Sequence, residues 1–249
     1  MSSNVGGRAR FATTQWSLVI AAGNRPSDDS EEALARLCSL YWYPVFAFVR
    51  RQGYPSDEAQ ELTQSFFTRL IDKNDLRDAD RSRGRFRTFL LTACRHFLSN
   101  ERDRERRLKR GGDAVRLSID VALAEGRYQT ALAHSETPEQ VFDRQWCLTL
   151  LDRVLDTLRQ EYASAGNERL FDRLSGFLTF DEGAGTYADA ARDLGMTPAA
   201  VKVAAYRLRG RYRESFRRCV ADTLSSDRDI DDEIRYLLKT LEPEPRLLP

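Results

Sequence analysis

The stretch TYADAARDLGMTPAAVKVAAYRLRGRYRESFRR, from Thr186 to Arg218, reads as two helices joined by a tight turn. Thr186 with Asp189 three residues on is a capping-box-like start, Gly195 is a stop, and Thr197-Pro198 begins the second helix. Ala191, Gly195 and Val201 stand at the offsets where a helix-turn-helix needs a small contact residue, a turn glycine and a buried β-branched residue. In that motif the first helix crosses the phosphate backbone and the second lies in the major groove. An ordinary helical hairpin, whose Ala and Gly only allow close packing, is the plainer alternative. The Arg-rich run that follows favours DNA.

Outward from this stretch, apolar residues recur at helical spacing and little reads as β-strand, which predicts an all-α protein. A short helix is expected near Thr14, burying Trp16, Val19 and Ile20. The next should run from about Glu31 to Arg51 with Leu34, Leu37, Cys38, Tyr41, Val45, Phe46 and Val49 inward and a kink at Pro44. Ser56 should cap a third, whose stripe is Ala59, Leu62, Phe66, Phe67, Leu70 and Ile71. After the turn RSRGR, a long helix carries Phe86, Phe89, Leu90, Ala93, Phe97 and Leu98 on one face and ends at Gly111-Gly112. Thr137-Pro138-Glu139-Gln140 starts a helix that should bury Val141, Phe142, Leu148, Leu151, Leu155 and Leu158, followed by another from about Glu168 to Phe180.

Last, IDDEIRYLLKTL sets Ile230, Ile234, Leu237, Leu238 and Leu241 on one face. That face should join the core of the second domain, or dock on the first domain or a partner, where Asp229, Asp231, Asp232 and Glu233 would mask a basic block from DNA. The expected layout is an N-terminal extension (1–29), a helical domain (30–110), a flexible linker (111–136), a helix-turn-helix domain (137–222) and a C-terminal helical extension (223–249).

Of 249 residues, 39 are Lys or Arg and 38 Asp or Glu, for a formal net charge of +1. The balance is uneven: 12 basic and 4 acidic residues lie between Arg81 and Arg116, and 7 basic and 1 acidic between Lys202 and Arg218. Two basic blocks on an acidic background fit two contacts with a polyanion, since each neutralised phosphate releases counterions. A solvated helix face is the plainer reading of either block. No run approaches the ~18 apolar residues of a spanning helix and the N-terminus has no signal-peptide stretch, so a cytoplasmic protein without membrane insertion is expected.

Cys38, Cys94, Cys147 and Cys219 have no CxxC spacing and read as core thiols. With only His96 and His134, and no catalytic constellation in view, no metal, cofactor or enzymatic activity is expected. Gly183, Gly185 and Ala188 match GxGxxA, but the dinucleotide fingerprint needs a βαβ unit and an acidic residue ~20 positions on, where this chain has Tyr206.

The order and spacing of these segments resemble the sigma-70 family of bacterial sigma factors, in its small two-domain extracytoplasmic-function (ECF) class. LARLCSLYWYPVFAFVRR resembles the first conserved helix of the family, and DEAQELTQSFFTRLI its polymerase-binding helix with an acid-L-x-Q core. RGRFRTFLLTACRHFLSNERDRERR is similar to the promoter-melting and −10-reading segment, and TYADAARDLGMTPAAVKVAAYRLRGRYRE to the −35-reading helix-turn-helix. Departures fall at Phe89, where Trp is usual, at His96 and Asn100, where Asn and Asp are, and at Ala204, where an Arg often faces DNA.

The resemblance implies a sigma factor, with domains like sigma regions 2 and 4, that binds core RNA polymerase and promoter DNA. An anti-sigma factor or other regulatory protein is a further partner it admits. Glu58, Glu61, Leu62, Gln64 and Phe67 would meet the polymerase, with Glu58, Glu61 and Gln64 three apart on a polar face. Arg81, Arg83, Arg85, Arg87, His96, Asn100, Arg102 and Arg106 would meet the −10 strand. Lys202, Arg207, Arg209 and Arg211 would anchor −35 phosphates, while Ala199, Ala200, Val203 and Tyr206 face base edges; Tyr206 equally fits packing. The alternatives are a polymerase-independent helix-turn-helix regulator and, third, an enzyme acting on nucleic acid.

Overall fold

The computed structural model describes residues 28–72, 85–107, 136–178, 185–224 and 229–242, and every regular element among them is a helix. These are α1 (Asp28–Arg51), α2 (Ser56–Asp72), α3 (Phe86–Arg107), α4 (Pro138–Ser164), α5 (Glu168–Ser175), α6 (Tyr187–Leu194), α7 (Pro198–Ala221) and α8 (Ile230–Leu241). The helix expected near Thr14, Arg81 and Arg83 of the turn, the Gly111-Gly112 stop and residues 111–135 of the linker lie outside the described residues. The chain divides into two compact units, Met1–Trp146 with Ala221–Pro249, and Cys147–Val220. The division thus falls inside α4 and assigns α8 to the first unit, whereas the sequence layout puts all of α4 in the second domain and leaves α8 as an extension.

In the first unit α1 is a central helix. Every residue from Leu40 to Val49 is buried, Trp42, Tyr43, Ala47 and Phe48 as completely as the expected stripe. A helix apolar on all sides belongs in the interior, and α1 continues through Pro44. Tyr41 meets Phe86 of α3 edge-on at 5.3 Å and stacks on Trp146 of α4 at 6.4 Å. Phe66 of α2 meets Phe97 of α3 at 5.7 Å. Such full burial of a large apolar side chain contributes ~1.5–3 kcal/mol each.

The start of α4 is a complete capping box: the Thr137 N–H donates to Gln140 Oε1 at 2.7 Å, and the Gln140 N–H donates to Thr137 Oγ1 at 3.2 Å. Charge fixes this turn to α3, with Arg95 paired to Glu139 at 2.6 Å and Arg87 to Asp143 at 3.0 Å. α8 closes the same cluster. Its Glu233, fully buried, pairs with Arg85 at 2.6 Å and with Arg87, and the Tyr236 hydroxyl donates to Asp143 at 2.6 Å. The buried face of α8 is therefore Ile230, Glu233 and Leu237, while Leu238 of the expected stripe is exposed.

In the second unit the remainder of α4 turns Cys147, Leu150, Val154 and Leu158 inward, against Phe171 and Leu174 of α5 as further core. Leu148, Leu151 and Leu155, expected inside, are half-buried. Arg173 of α5 pairs with Asp193, the penultimate residue of α6, at 2.8 Å, and Phe177 packs on Tyr187 at 4.7 Å.

All four cysteines are free thiols. Burial pushes the Cys94 thiol up to about 12 and the Cys38 thiol up to about 11. The thiolate is the nucleophile, so raising these values keeps both residues protonated and inert at pH 8. In the folded chain Cys38 and Cys94 should resist iodoacetamide at pH 8 and become modified in urea, as read by peptide mass mapping.

Candidate nucleic-acid interface

Thr186 accepts the Asp189 N–H at 3.2 Å and offers its own N–H to the Asp189 carboxylate at 3.1 Å, completing the box that the sequence predicts. The Thr186 hydroxyl also donates to the Asp189 carboxylate at 2.7 Å, and this bond together with that from the Thr186 N–H holds the Asp189 carboxyl below the usual range. α6 ends at Gly195, which adopts the left-handed φ of 64°, and the Met196 N–H closes the turn on Ala191 O at 2.9 Å. Thr197 then caps α7 by accepting the Ala200 N–H at 3.2 Å. Ala191 and Val201, the two residues expected between the helices, are 3% and 0% exposed.

Val201, Ala205 and Leu208 point inward, which turns the opposite side of α7 out. Ala199, Lys202, Val203, Tyr206 and Arg207 are all exposed, at successive steps of 3, 1, 3 and 1 along one face. Val203 is 49% and Tyr206 76% exposed, so Tyr206 is not a packing residue. Lys202 and Arg207 form no ion pair with any described residue. Ala200 is half-buried at the edge of this face.

Arg209 and Arg211 depart from expectation. Arg209 is turned into its own unit, donating to Tyr187 Oη at 2.9 Å and Phe177 O at 3.2 Å. Arg211 pairs with Glu161 and lies over the Tyr162 ring at 5.0 Å. Both lie at the margins of the Lys202–Arg207 face, Arg209 about 20° beyond Lys202 and Arg211 about 40° beyond Arg207 round the helix, where their side chains are taken up by their own unit.

In the first unit α2 and α3 border a cavity of about 350 Å³, within the size range of small-ligand clefts. Phe89, Ala93 and Phe97 give it an aromatic and apolar wall, and Arg69, His96 and Asn100 its polar groups. His96 and Asn100 are exposed, as a strand-contacting role requires. Arg102 donates to Tyr54 Oη at 2.7 Å and covers that ring at 5.1 Å. Arg87 is not on the surface at all: it is 4% exposed, between Asp143 and Glu233 and over the rings of Trp146 and Tyr236 at 4.9 and 5.7 Å. Burial alone would lower its pKa; the two carboxylates reverse that and hold the guanidinium charged.

On α2, Glu61 is exposed and Glu58 half-buried, but Leu62, Gln64 and Phe67 are buried. Each step of three residues falls short of a full turn by about 60°, so Gln64 lies about 120° round from Glu58 and faces the core.

A model of the ECF sigma factor family matches residues 48–202, well over half of the chain. The chain belongs to the ECF sigma factor family. No curated protein and no solved structure gives a match. ECF sigma factors act in transcription initiation and bind DNA, and the family is not a class of enzymes. Within this sigma factor the matched span takes in the α2–α3 cavity and the helix-turn-helix through Lys202, and leaves out Val203 onward and α8. No described helix is long and apolar enough to cross a membrane.

Sequence reasoning missed Asp143, and named Glu233 only as one of four acids that would mask a basic block, not as the buried partner that takes Arg87 out of the interface. The signal was present for one of them: Glu233 follows Ile230 by three residues and precedes Leu237 by four, an apolar-face position carrying a carboxylate.

Gly195 holds the geometry of the turn between α6 and α7, and no atom stands within 4 Å of where a Cβ would lie. The cost of Gly195→Ala is therefore conformational alone, about 1–2 kcal/mol. Urea unfolding should show that loss, with a smaller one for Gly195→Asn.

Proposed function

We propose that this sigma factor binds core RNA polymerase through the outer face of α2 and reads promoter DNA at two places, the −35 duplex with α7 and the melted −10 strand beside α3. The observation that carries the reading is the exposed face Ala199, Lys202, Val203, Tyr206 and Arg207 beyond a capped, glycine-closed turn. Two cations alternate there with apolar and hydroxyl groups. Lys202 and Arg207 anchor phosphates, while Ala199, Val203 and Tyr206 present methyl groups and a hydroxyl to base edges, with Ala200 at the margin. Arg209 and Arg211 instead brace the unit.

The α2–α3 cavity suits an unstacked base: Phe89 and Phe97 offer ring faces, and His96, Asn100 and Arg69 offer hydrogen-bonding groups beside them. Arg81, Arg83, Arg85, Arg102 and Arg106 supply cations near the same strand. On α2, Glu58 and Glu61 meet a basic partner surface on the polymerase, and Leu62, Gln64 and Phe67 set the helix in place from beneath. An anti-sigma factor or other regulatory protein would compete for these same surfaces, and the chain would act in the cytoplasm, where the polymerase is.

Run-off transcription with core enzyme and a promoter library tests the assignment; a polymerase-independent regulator would bind DNA and give no transcript. Two substitutions sharpen it. Lys202→Ala should weaken binding to all duplexes alike and reduce the salt slope by about 0.9. Glu61→Lys should weaken binding to core polymerase with helicity unchanged, measured by fluorescence anisotropy and circular dichroism.

A further inference from the structure

Arg85 and Arg87 come from the turn and first residue pair of the segment that the proposed function places beside the melted strand. Both guanidinium groups are taken up by one carboxylate, Glu233 of α8, which is itself fully buried. The two arginines are not equivalent. Arg87 also has Asp143 at 3.0 Å and the Trp146 ring at 4.9 Å, and both of these come from α4, not from α8. Arg85, 40% exposed, has Glu233 as its one ion-pair partner among the described residues. Loss of Glu233 therefore leaves no orphaned charge in the interior and frees Arg85 for a phosphate.

α8 is built to be detachable. Twelve residues are too few for a stable isolated helix. It buries only Ile230, Glu233 and Leu237, and leaves Tyr236 and Leu238 43% and 45% exposed. Its first turn also carries Asp231 and Asp232, both exposed and within two residues of Glu233, with Asp232 paired to Arg235 of the same helix at 2.5 Å, so the docked helix brings acidic side chains along with Glu233. α8 lies outside the residues matched by the family model.

We propose that α8 is an intramolecular latch: docked, its Glu233 occupies Arg85 and its acidic first turn repels the promoter strand; released, it opens the arginine turn to DNA. Docked and released forms are two states of the first unit, and DNA, which binds the released form better, shifts the population toward it. The latch rests on the reading of this turn as a strand contact.

The test is a double-mutant cycle in the full chain, with a fluorescent single-stranded DNA oligonucleotide as probe at 0.1 M salt and circular dichroism as the check on folding. Glu233→Gln, which keeps the shape of the side chain and removes its charge, should raise affinity by roughly fivefold or more. Arg85→Gln should cost little in the wild-type background, where Arg85 is already neutralised, and should abolish the gain in the Glu233→Gln background. If Glu233→Gln does not fold, the exposed pair Asp231→Asn with Asp232→Asn takes its place, with a smaller gain expected and unchanged affinity overturning the latch. Equal losses on Arg85→Gln in both backgrounds would show Arg85 on DNA with Glu233 in place, and would also overturn it. If Arg85→Gln is silent in both backgrounds, the turn is not a strand contact and the latch falls with it. Run-off transcription by the wild-type chain separates that result from failure of the sigma reading as a whole.

Discussion

A guanidinium in the interior needs carboxylates, and Arg87 takes two from helices far apart in sequence, Asp143 from α4 and Glu233 from α8. Trp146 and Tyr236 cover its faces, and the Tyr236 hydroxyl satisfies Asp143 in turn. Burial raises the Asp143 carboxyl above the usual range, with Arg87 pulling the other way, and the Tyr236 hydroxyl is pushed up to about 12 by burial and by its bond to Asp143. Such a cluster adds little net stability over apolar residues of the same volume, but removing Asp143, the partner that α4 supplies, costs ~3–5 kcal/mol. Its effect is selective: any other docking of α3 and α4 leaves a charge uncompensated, and Glu233 of α8 adds a second carboxylate to a pair already made. That is why the start of α4 and the whole of α8 belong to the first unit.

The helix-turn-helix was legible residue by residue because its determinants are local. A cap, a left-handed glycine and a three-residue return to a helix start are read within one short stretch, and Thr186, Gly195 and Thr197 each do what their type dictates. The all-helical class was legible for the same reason, from spacing alone. What periodicity could not give is how many sides of a helix are covered. α1 shows one stripe in sequence and is buried on every side from Leu40 to Val49, since parts of the chain distant in sequence pack on it, as Phe86 and Trp146 do on Tyr41. α4 shows the converse, an apolar surface broad enough that the inward row runs through Leu150 and Val154 instead of Leu151 and Leu155.

Charge was the least legible feature. An arginine run gives a count of cations, not the number that face a ligand, and this chain diverts several of them. Arg87 lies in the interior, Arg209 braces α7 against Tyr187, Arg211 is held by Glu161, and Arg102 by Tyr54. The carboxylates and phenols that capture them lie tens of residues away in sequence, beyond the reach of any local pattern. On α7, Lys202 and Arg207 are the outward cations that share a face with apolar side chains, while Arg213, Arg217 and Arg218 are exposed further along the helix.

That mixed face has a thermodynamic consequence. Val203 and Tyr206 hold hydration water at exposures of 49% and 76% in the free protein, and covering them releases it with a negative change in heat capacity. In the proposed duplex contact, Lys202 and Arg207 would act instead through the counterions they displace. Temperature and ionic strength therefore address different residues of the same helix: the enthalpy of duplex binding should drift downward on warming through the apolar pair, while salt acts on the cationic one.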